Sequence, residues 1–267
     1  MPPMIATENT TDSPPLPALD GGPYAFFFDV DGTLAEIRPE PDAVVIPSAV
    51  RANLQALSTA CHGAVALVSG RPLEQLDKLT APLILPLAGV HGAERRDASG
   101  NLHRVILPAE VAAPLRQMLE QAMAAMPGTL LEAKEMAFAL HYRQAMVYER
   151  QVFALAESAV ARFPQLTLQP GKCVVEIKPR GTDKGVAINA FMREAPFAGR
   201  IPVFVGDDLT DEKGFIAVNA MQGISVKVGE GSGHARFRLK RVADVYQWLE
   251  QQRLQLNQDN VGKELRL

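Results

Sequence analysis

Three unbroken apolar runs, each ending in polar residues, constrain this chain more than any other feature. They are residues 24–30 (YAFFFDV), 64–68 (AVALV) and 201–205 (IPVFV). A strand with one face in water alternates apolar and polar residues. A strand buried on both faces does not, and such strands belong to parallel sheets covered by helices. Helical periodicity follows over residues 47–60, with Val50, Leu54 and Leu57 on one side, and again through Leu73, Leu76 and Leu79. A further strand is expected over 83–90. This alternation predicts an α/β fold: a doubly wound, mainly parallel sheet with right-handed crossovers.

The pattern then changes. Residues 94–108 read as a hairpin turning at 97–101 (DASGN). A helix over 111–126, strands over 130–131 and 137–142, a helix over 147–163 and strands over 166–168 and 173–177 form an α+β unit on an antiparallel sheet. The α/β pattern resumes with a helix at 184–192, strands at 201–205 and 224–228, and helices at 211–218 and 242–254. The expected organisation is a core of residues 23–108 and 179–255 with an inserted cap domain, 109–178. Residues 1–22, rich in Pro, Thr, Asp and Ala, read as a disordered leader, and 256–267 as a flexible polar tail.

The 47% hydrophobic and 21% charged content is that of an ordinary globular protein. A net charge of -3 without a basic run argues against a nucleic-acid surface. No apolar run approaches the ~20 residues of a membrane span, and the leader lacks the basic start and apolar centre of a signal peptide. Cys61 and Cys173, with no CxxC, give neither a disulfide framework nor a zinc site. The chain is therefore expected to be cytoplasmic and monomeric.

In open α/β sheets, ligands bind at the carboxyl ends of the strands. There the sequence places Asp29 and Asp31, then Ser69, Gly70 and Arg71, then Asp207, Asp208 and Asp211, with Lys184 opening the helix after the inserted unit. Each alone has a bland reading: a helix cap for Ser69, a solvated lysine for Lys184, a capped turn for the aspartates. The start at Asp29 also resembles a calcium loop, the least favoured reading. Together, carboxylates converging at one sheet edge need a cation to offset them, and oxygen-only ligands suit Mg²⁺. Asp29 and Asp31, two apart, would face the same side of extended backbone. One could attack a phosphate while the other moves the proton. Arg71 could reach the substrate or pair with an acid. In the inserted unit, Lys172 and Glu176 lie four apart on a strand, where they could bind hydroxyls or pair with each other. His91 reads either as a structural histidine or as a ligand.

The set Asp29-Val30-Asp31-Gly32-Thr33, Ser69, Lys184 and Gly206-Asp207-Asp208-Leu209-Thr210-Asp211 resembles the four motifs of the haloacid dehalogenase superfamily, in order. The resemblance implies Asp29 as nucleophile, Asp31 as acid and base, Ser69 and Lys184 as phosphate binders, and Mg²⁺ on Asp29, Asp207 and the Asp31 backbone carbonyl. Asp208 and Asp211 would then act behind those groups. Residues 87–94 (LAGVHGAE), Lys134, His141-Tyr142-Arg143 and residues 171–179 (GKCVVEIKP) are similar to trehalose-6-phosphate phosphatases. That likeness implies an α+β cap, trehalose 6-phosphate as substrate, and Gly70, Arg71, His91, Lys134, His141, Arg143, Lys172 and Glu176 near it. Other sugar phosphatases, a phosphomutase and a non-catalytic sensor are the alternatives, though a sensor has no need of the Asp29 and Asp31 pair.

Overall fold

The structure, a computed structural model, describes residues 16, 19, 22–134 and 136–264. Its first strand, β1 (Tyr24–Phe28), is buried along its whole length. Phe27 packs on Phe191 and Phe197, with ring centroids 5.9 and 5.4 Å away, whereas Phe26 and Phe28 meet Trp248 at 6.3 and 6.5 Å. Both sheet faces are thus covered, which is why the run carries no polar alternation. Each buried phenylalanine contributes roughly 1.5–3 kcal/mol.

From β1 the chain runs through α1 (Ser48–Ala60), β2 (Val65–Val68), α2 (Leu73–Thr80), β3 (Leu87–Gly89), β4 (Glu94–Arg96) and β5 (Leu102–Arg104). The inserted unit holds α3 (Ala109–Met123), β6 (Leu130–Ala133), β7 (Phe138–His141), α4 (Glu149–Arg162), β8 (Leu166–Gly171) and β9 (Val174–Pro179). The chain returns with α5 (Lys184–Phe191), β10 (Ile201–Gly206), α6 (Glu212–Ala220), β11 (Ile224–Val228), β12 (Phe237–Leu239) and α7 (Val242–Glu264).

The main sheet has eight strands in the order β12-β11-β10-β1-β2-β3-β4-β5, parallel except for the β3-β4-β5 hairpin edge. Strand order runs outward in both directions from the β10–β1 pair. That pair is a topological switch point, where adjacent loops diverge and leave a crevice. The smaller sheet, β6-β7-β9-β8, is antiparallel. Phe138, Leu140, Val175 and Ile177 turn one of its faces to Leu115, Leu119, Val152 and Ala156 of α3 and α4. By strand alternation, Ala139, Glu176 and Lys178 occupy the opposite face.

Several expectations change. The strand expected over 83–90 shortens to β3. β12, three half-buried residues, was not expected. α7 continues past 254 to Glu264, so most of the expected tail is helical; residues 265–267 lie outside the described residues. Leu19 is buried and Leu16 packs beside it on the main core, so the end of the expected leader is attached. The rest of that leader lies outside the described residues. Among the described residues, no helix is long and apolar enough to cross a membrane.

Candidate active site

The sheet carries three expected groups to the switch point. Asp29 follows β1, Ser69 follows β2 and Asp207 follows β10. The ladder extends into the site: Asp29 N donates to Val205 O and Ser69 N to Ala88 O, each at 2.9 Å. Lys184 is the first residue of α5, whose N-terminus is capped by Asp183 accepting from Val186 N at 2.9 Å. Asp29 and Lys184 are 4% and 2% exposed. The Lys184 ammonium donates to Asp29 Oδ1 and Asp211 Oδ1, both at 2.7 Å. The other Asp211 oxygen accepts from Asp207 N at 2.9 Å and Asp208 N at 3.0 Å. Asp208 itself caps the next turn, accepting from Thr210 N at 2.8 Å. Asp208 and Asp211 therefore order the loop that presents Asp207.

Asp29, Asp207 and Asp211 offer carboxylate oxygens within 4.8 Å of one another. Burial raises Asp29 well above the ordinary carboxylate range, with Lys184 opposing and Asp211 and Asp207 adding to the rise. Asp207 is pushed up to about 7, first by burial and then by Asp211 and Asp208. Burial opposes the charge on Lys184, but Asp211 and Asp29 outweigh it and hold the ammonium above its ordinary value. One ammonium does not neutralise this many acids. A hard, oxygen-only, net-negative donor set fits Mg²⁺. Asp211 has both oxygens engaged by Lys184 and the loop amides, which leaves Asp29 and Asp207 as the available carboxylate ligands. Gly32 permits their approach: its φ is +82°, and a Cβ there would lie 2.1 Å from Asp207 Oδ2.

Asp31 departs from the expectation. The chain turns immediately after Val30, whose carbonyl accepts from Leu34 N and Ala35 N at 2.9 Å. The chain therefore leaves its strand course with a bend at Val30. The Asp31 carboxylate forms a bidentate pair with Arg71, Nε to Oδ2 at 2.6 Å and Nη2 to Oδ1 at 2.8 Å. Of the two readings for Arg71, the acid pair is the one seen here, with Gln75 Oε1 accepting a third bond at 3.2 Å. Ser69 Oγ accepts from Arg71 N at 3.3 Å, leaving its O–H to donate.

His91 packs against Gly70, where a Cβ would come within 2.6 Å of the imidazole. Val90 and His91 both take left-handed backbone, φ +46° and +53°. That strain costs about 1–3 kcal/mol per residue, and His91 N, donating to Ser69 O at 2.9 Å, helps to hold it. His91 Nε2 lies 3.4 Å from Glu176 Oε2 on the smaller sheet, and Lys134 Nζ donates to Glu176 Oε1 at 2.7 Å. Burial lowers the His91 pKa, so at neutral pH the ring is largely uncharged. Burial alone would raise Glu176, yet His91 and Lys134 outweigh it and pull the carboxyl down to about 2. With His91 uncharged, Lys134 is the cation that matters here at neutral pH.

The remaining expected residues stay apart from this cluster. Lys172 lies in the β8–β9 turn, where Cys173 has φ +61°, and is exposed rather than on a strand face with Glu176. His141 contacts Glu132 at 2.9 Å, and Arg143 is exposed. Two buried lysines were not anticipated. Lys227, at the end of β11, donates to Asp207 O at 2.7 Å, and Lys178 lies two residues beyond Glu176. The signal for both was a lysine flanked on either side by apolar strand residues.

Comparison with known proteins gives a consistent result. The family profile described as trehalose-phosphatase matches residues 27–243. The chain is 56% identical over 244 residues to the trehalose-6-phosphate phosphatase of Escherichia coli (strain K12), covering 91% of this chain and 90% of that protein. It is 43% identical over 207 residues to a probable trehalose-phosphate phosphatase of Sinorhizobium fredii (strain NBRC 101917 / NGR234), covering 77% and 78% of the two chains. Among solved structures, the C-terminal domain of Candida albicans trehalose-6-phosphate phosphatase superposes with a TM-score of 0.74 at 21% identity, covering 86% of this chain and 92% of that one. The Aspergillus fumigatus trehalose-6-phosphate phosphatase gives 0.66 at 26% identity, with the same coverage.

Proposed function

The chain belongs to the trehalose-phosphatase family of phosphoric monoester hydrolases, and from that premise we propose that it hydrolyses trehalose 6-phosphate through a phosphoryl intermediate on Asp29, in trehalose biosynthesis. One observation carries the reading: a buried Asp29 sits 2.7 Å from the Lys184 ammonium at the switch point, with Asp207 beside it. Phosphate-ester hydrolysis depends on positioning and charge stabilisation, and this arrangement supplies both.

In the first step an Asp29 oxygen attacks phosphorus and the bond from phosphorus to the sugar oxygen breaks. Asp31 gives that oxygen a proton. In the second step Asp31 takes a proton from water as the water attacks the aspartyl phosphate, releasing phosphate and restoring both carboxyls. The Arg71 pair orients Asp31 and must loosen for the proton to be carried. Ser69, Gly70 and Lys184 bind the phosphoryl oxygens. Asp29 and Asp207, with the Asp31 carbonyl, would hold Mg²⁺, which when bound neutralises phosphoryl charge.

Residues 109–178 act as the cap in this reading. Glu176, fixed by Lys134, and His91 meet the sugar hydroxyls, while Lys172, His141 and Arg143 wait at the rim until the cap closes over substrate and excludes water. A cytoplasmic monomer without nucleic-acid or membrane partners completes the proposal.

The test is phosphate release from a panel of sugar phosphates, with Mg²⁺ and with excess EDTA. Trehalose 6-phosphate should be the best substrate and the chelator should silence turnover. Preference for sucrose phosphate or mannosyl-phosphoglycerate removes the substrate assignment. A sugar bisphosphate in place of free phosphate points to a mutase. Activity surviving EDTA removes the metal.

A further inference from the structure

Among the described residues, the chemistry above leaves one buried lysine of the cap unused. Lys178, on β9, is 3% exposed. Its only hydrogen-bond acceptor among the described residues is Gln169 Oε1, across the hairpin on β8. An ammonium has three N–H donors, so two remain without an acceptor. Burial pushes the Lys178 ammonium down to about 8, with Glu176 and Asp183 opposing the fall. A buried, under-bonded ammonium of this kind is costly unless something else meets it.

Lys178 lines a cavity of about 320 Å³ that spans the cap–core seam. Arg180 and Asp183 line it too, each with a hydrogen bond made outside the cavity, and the Asp183 charge also faces Lys178. The Arg180 guanidinium donates to the carbonyls of Pro164 and Leu166, and the Asp183 carboxylate caps α5. Lys213, on α6 of the core, lines the opposite side and is exposed, with no side-chain partner among the described residues. Leu168 and Leu209 add apolar wall. The cavity is thus approached by two lysines with unused donors, one from each side of the seam. Its size is at the lower end of the roughly 300–1,000 Å³ of small-molecule pockets, enough for an oxyanion carrying a sugar-sized group.

We propose that this seam cavity is a second anion site, distinct from the catalytic one, which takes a phosphate-class oxyanion between Lys178 of the cap and Lys213 of the core. The bonds are charge-assisted, and an anion held there ties cap to core. Free phosphate and the phosphoryl end of a sugar phosphate share this chemistry.

Titration calorimetry on the full chain separates the possibilities without reading turnover. Inorganic phosphate should bind wild type with two equivalents, one catalytic and one at the seam. Lys178→Met should keep only the first. Lys213→Glu, at an exposed position that leaves packing intact, should weaken the second about tenfold or more and leave the first unchanged. If Lys178→Met does not fold, Lys213→Glu decides alone. Glucose 6-phosphate, titrated into Asp29→Asn protein to prevent hydrolysis, assigns a phosphorylated sugar if it fills the seam more tightly than phosphate does, and a free ion if it does not. A single equivalent on wild type, or a second one indifferent to both lysine variants, overturns the proposal.

Discussion

At the end of the main sheet, Asp29 and Lys184 are almost fully buried, and every bond that fixes them comes from a residue at a strand or helix terminus. On the smaller sheet, Glu176 is held by one ion pair with Lys134 and one looser contact to His91 across the seam, while Lys172, Arg143 and His141 stand apart. The first region joins side chains to main chain at the ends of one sheet and its helices, the second only side chains reaching between two sheets. Under the proposed function, the difference teaches that phosphoryl chemistry is pre-organised before substrate arrives, whereas sugar recognition would be completed by closure and by the sugar itself.

The sharpest way to break this comparison is at Asp29. Asp29→Asn should lower phosphate release by roughly 10⁴-fold or more while keeping the fold, because it removes the attacking oxygen; steady-state kinetics with circular dichroism would check this, and substantial residual turnover would mean another group attacks. Next comes the ammonium that fixes it. Lys184→Met leaves Asp29 and Asp211 as uncompensated buried acids, so urea unfolding should show a loss of about 3–5 kcal/mol together with lost turnover; unchanged stability would remove the claim of a pre-built charge cluster.

On the cap side, Glu176→Ala should cost about 10²-fold in kcat/KM for trehalose 6-phosphate and little for p-nitrophenyl phosphate, since binding to a remote part of the substrate is lost. Equal losses on both substrates would erase the division between the two regions. The smallest effect is on the acid limb of stability. Glu176 has its carboxyl lowered from 4.5 to about 2, so its contribution is fully present above about pH 4.5 and is lost as pH falls through about 2. Glu176→Gln should therefore flatten the acid loss of stability over that window in urea titrations. Parallel slopes for the two proteins would mean that the His91 and Lys134 contacts of Glu176 contribute nothing to folding.

The same division decides what the sequence disclosed. Residues 24–30, 64–68 and 201–205 read as double-faced strands because burial on both faces leaves no polar alternation. Once those strands are fixed, Asp29, Ser69 and Asp207 follow at their ends. The turn after Val30 was not legible because it depends on hydrogen bonds local to residues 30–35 rather than on strand spacing. Lys172 was misplaced because Cys173 takes a left-handed turn conformation that a strand pattern does not announce. Lys178 and Lys227 were hidden between apolar neighbours, and β12 is too short and half-buried to leave a period. The added turns of α7 were missed because its end is mostly polar, although neither glycine nor proline interrupts it before Gly262.

The most direct measurement is to trap the enzyme during turnover of trehalose 6-phosphate, reduce any acyl phosphate with borohydride and map the modified peptide by mass spectrometry. Reduction of a single carboxyl, at Asp29, is the expected result. A modified residue elsewhere, or no covalent species while phosphate is being released, would contradict a phosphoryl intermediate on Asp29.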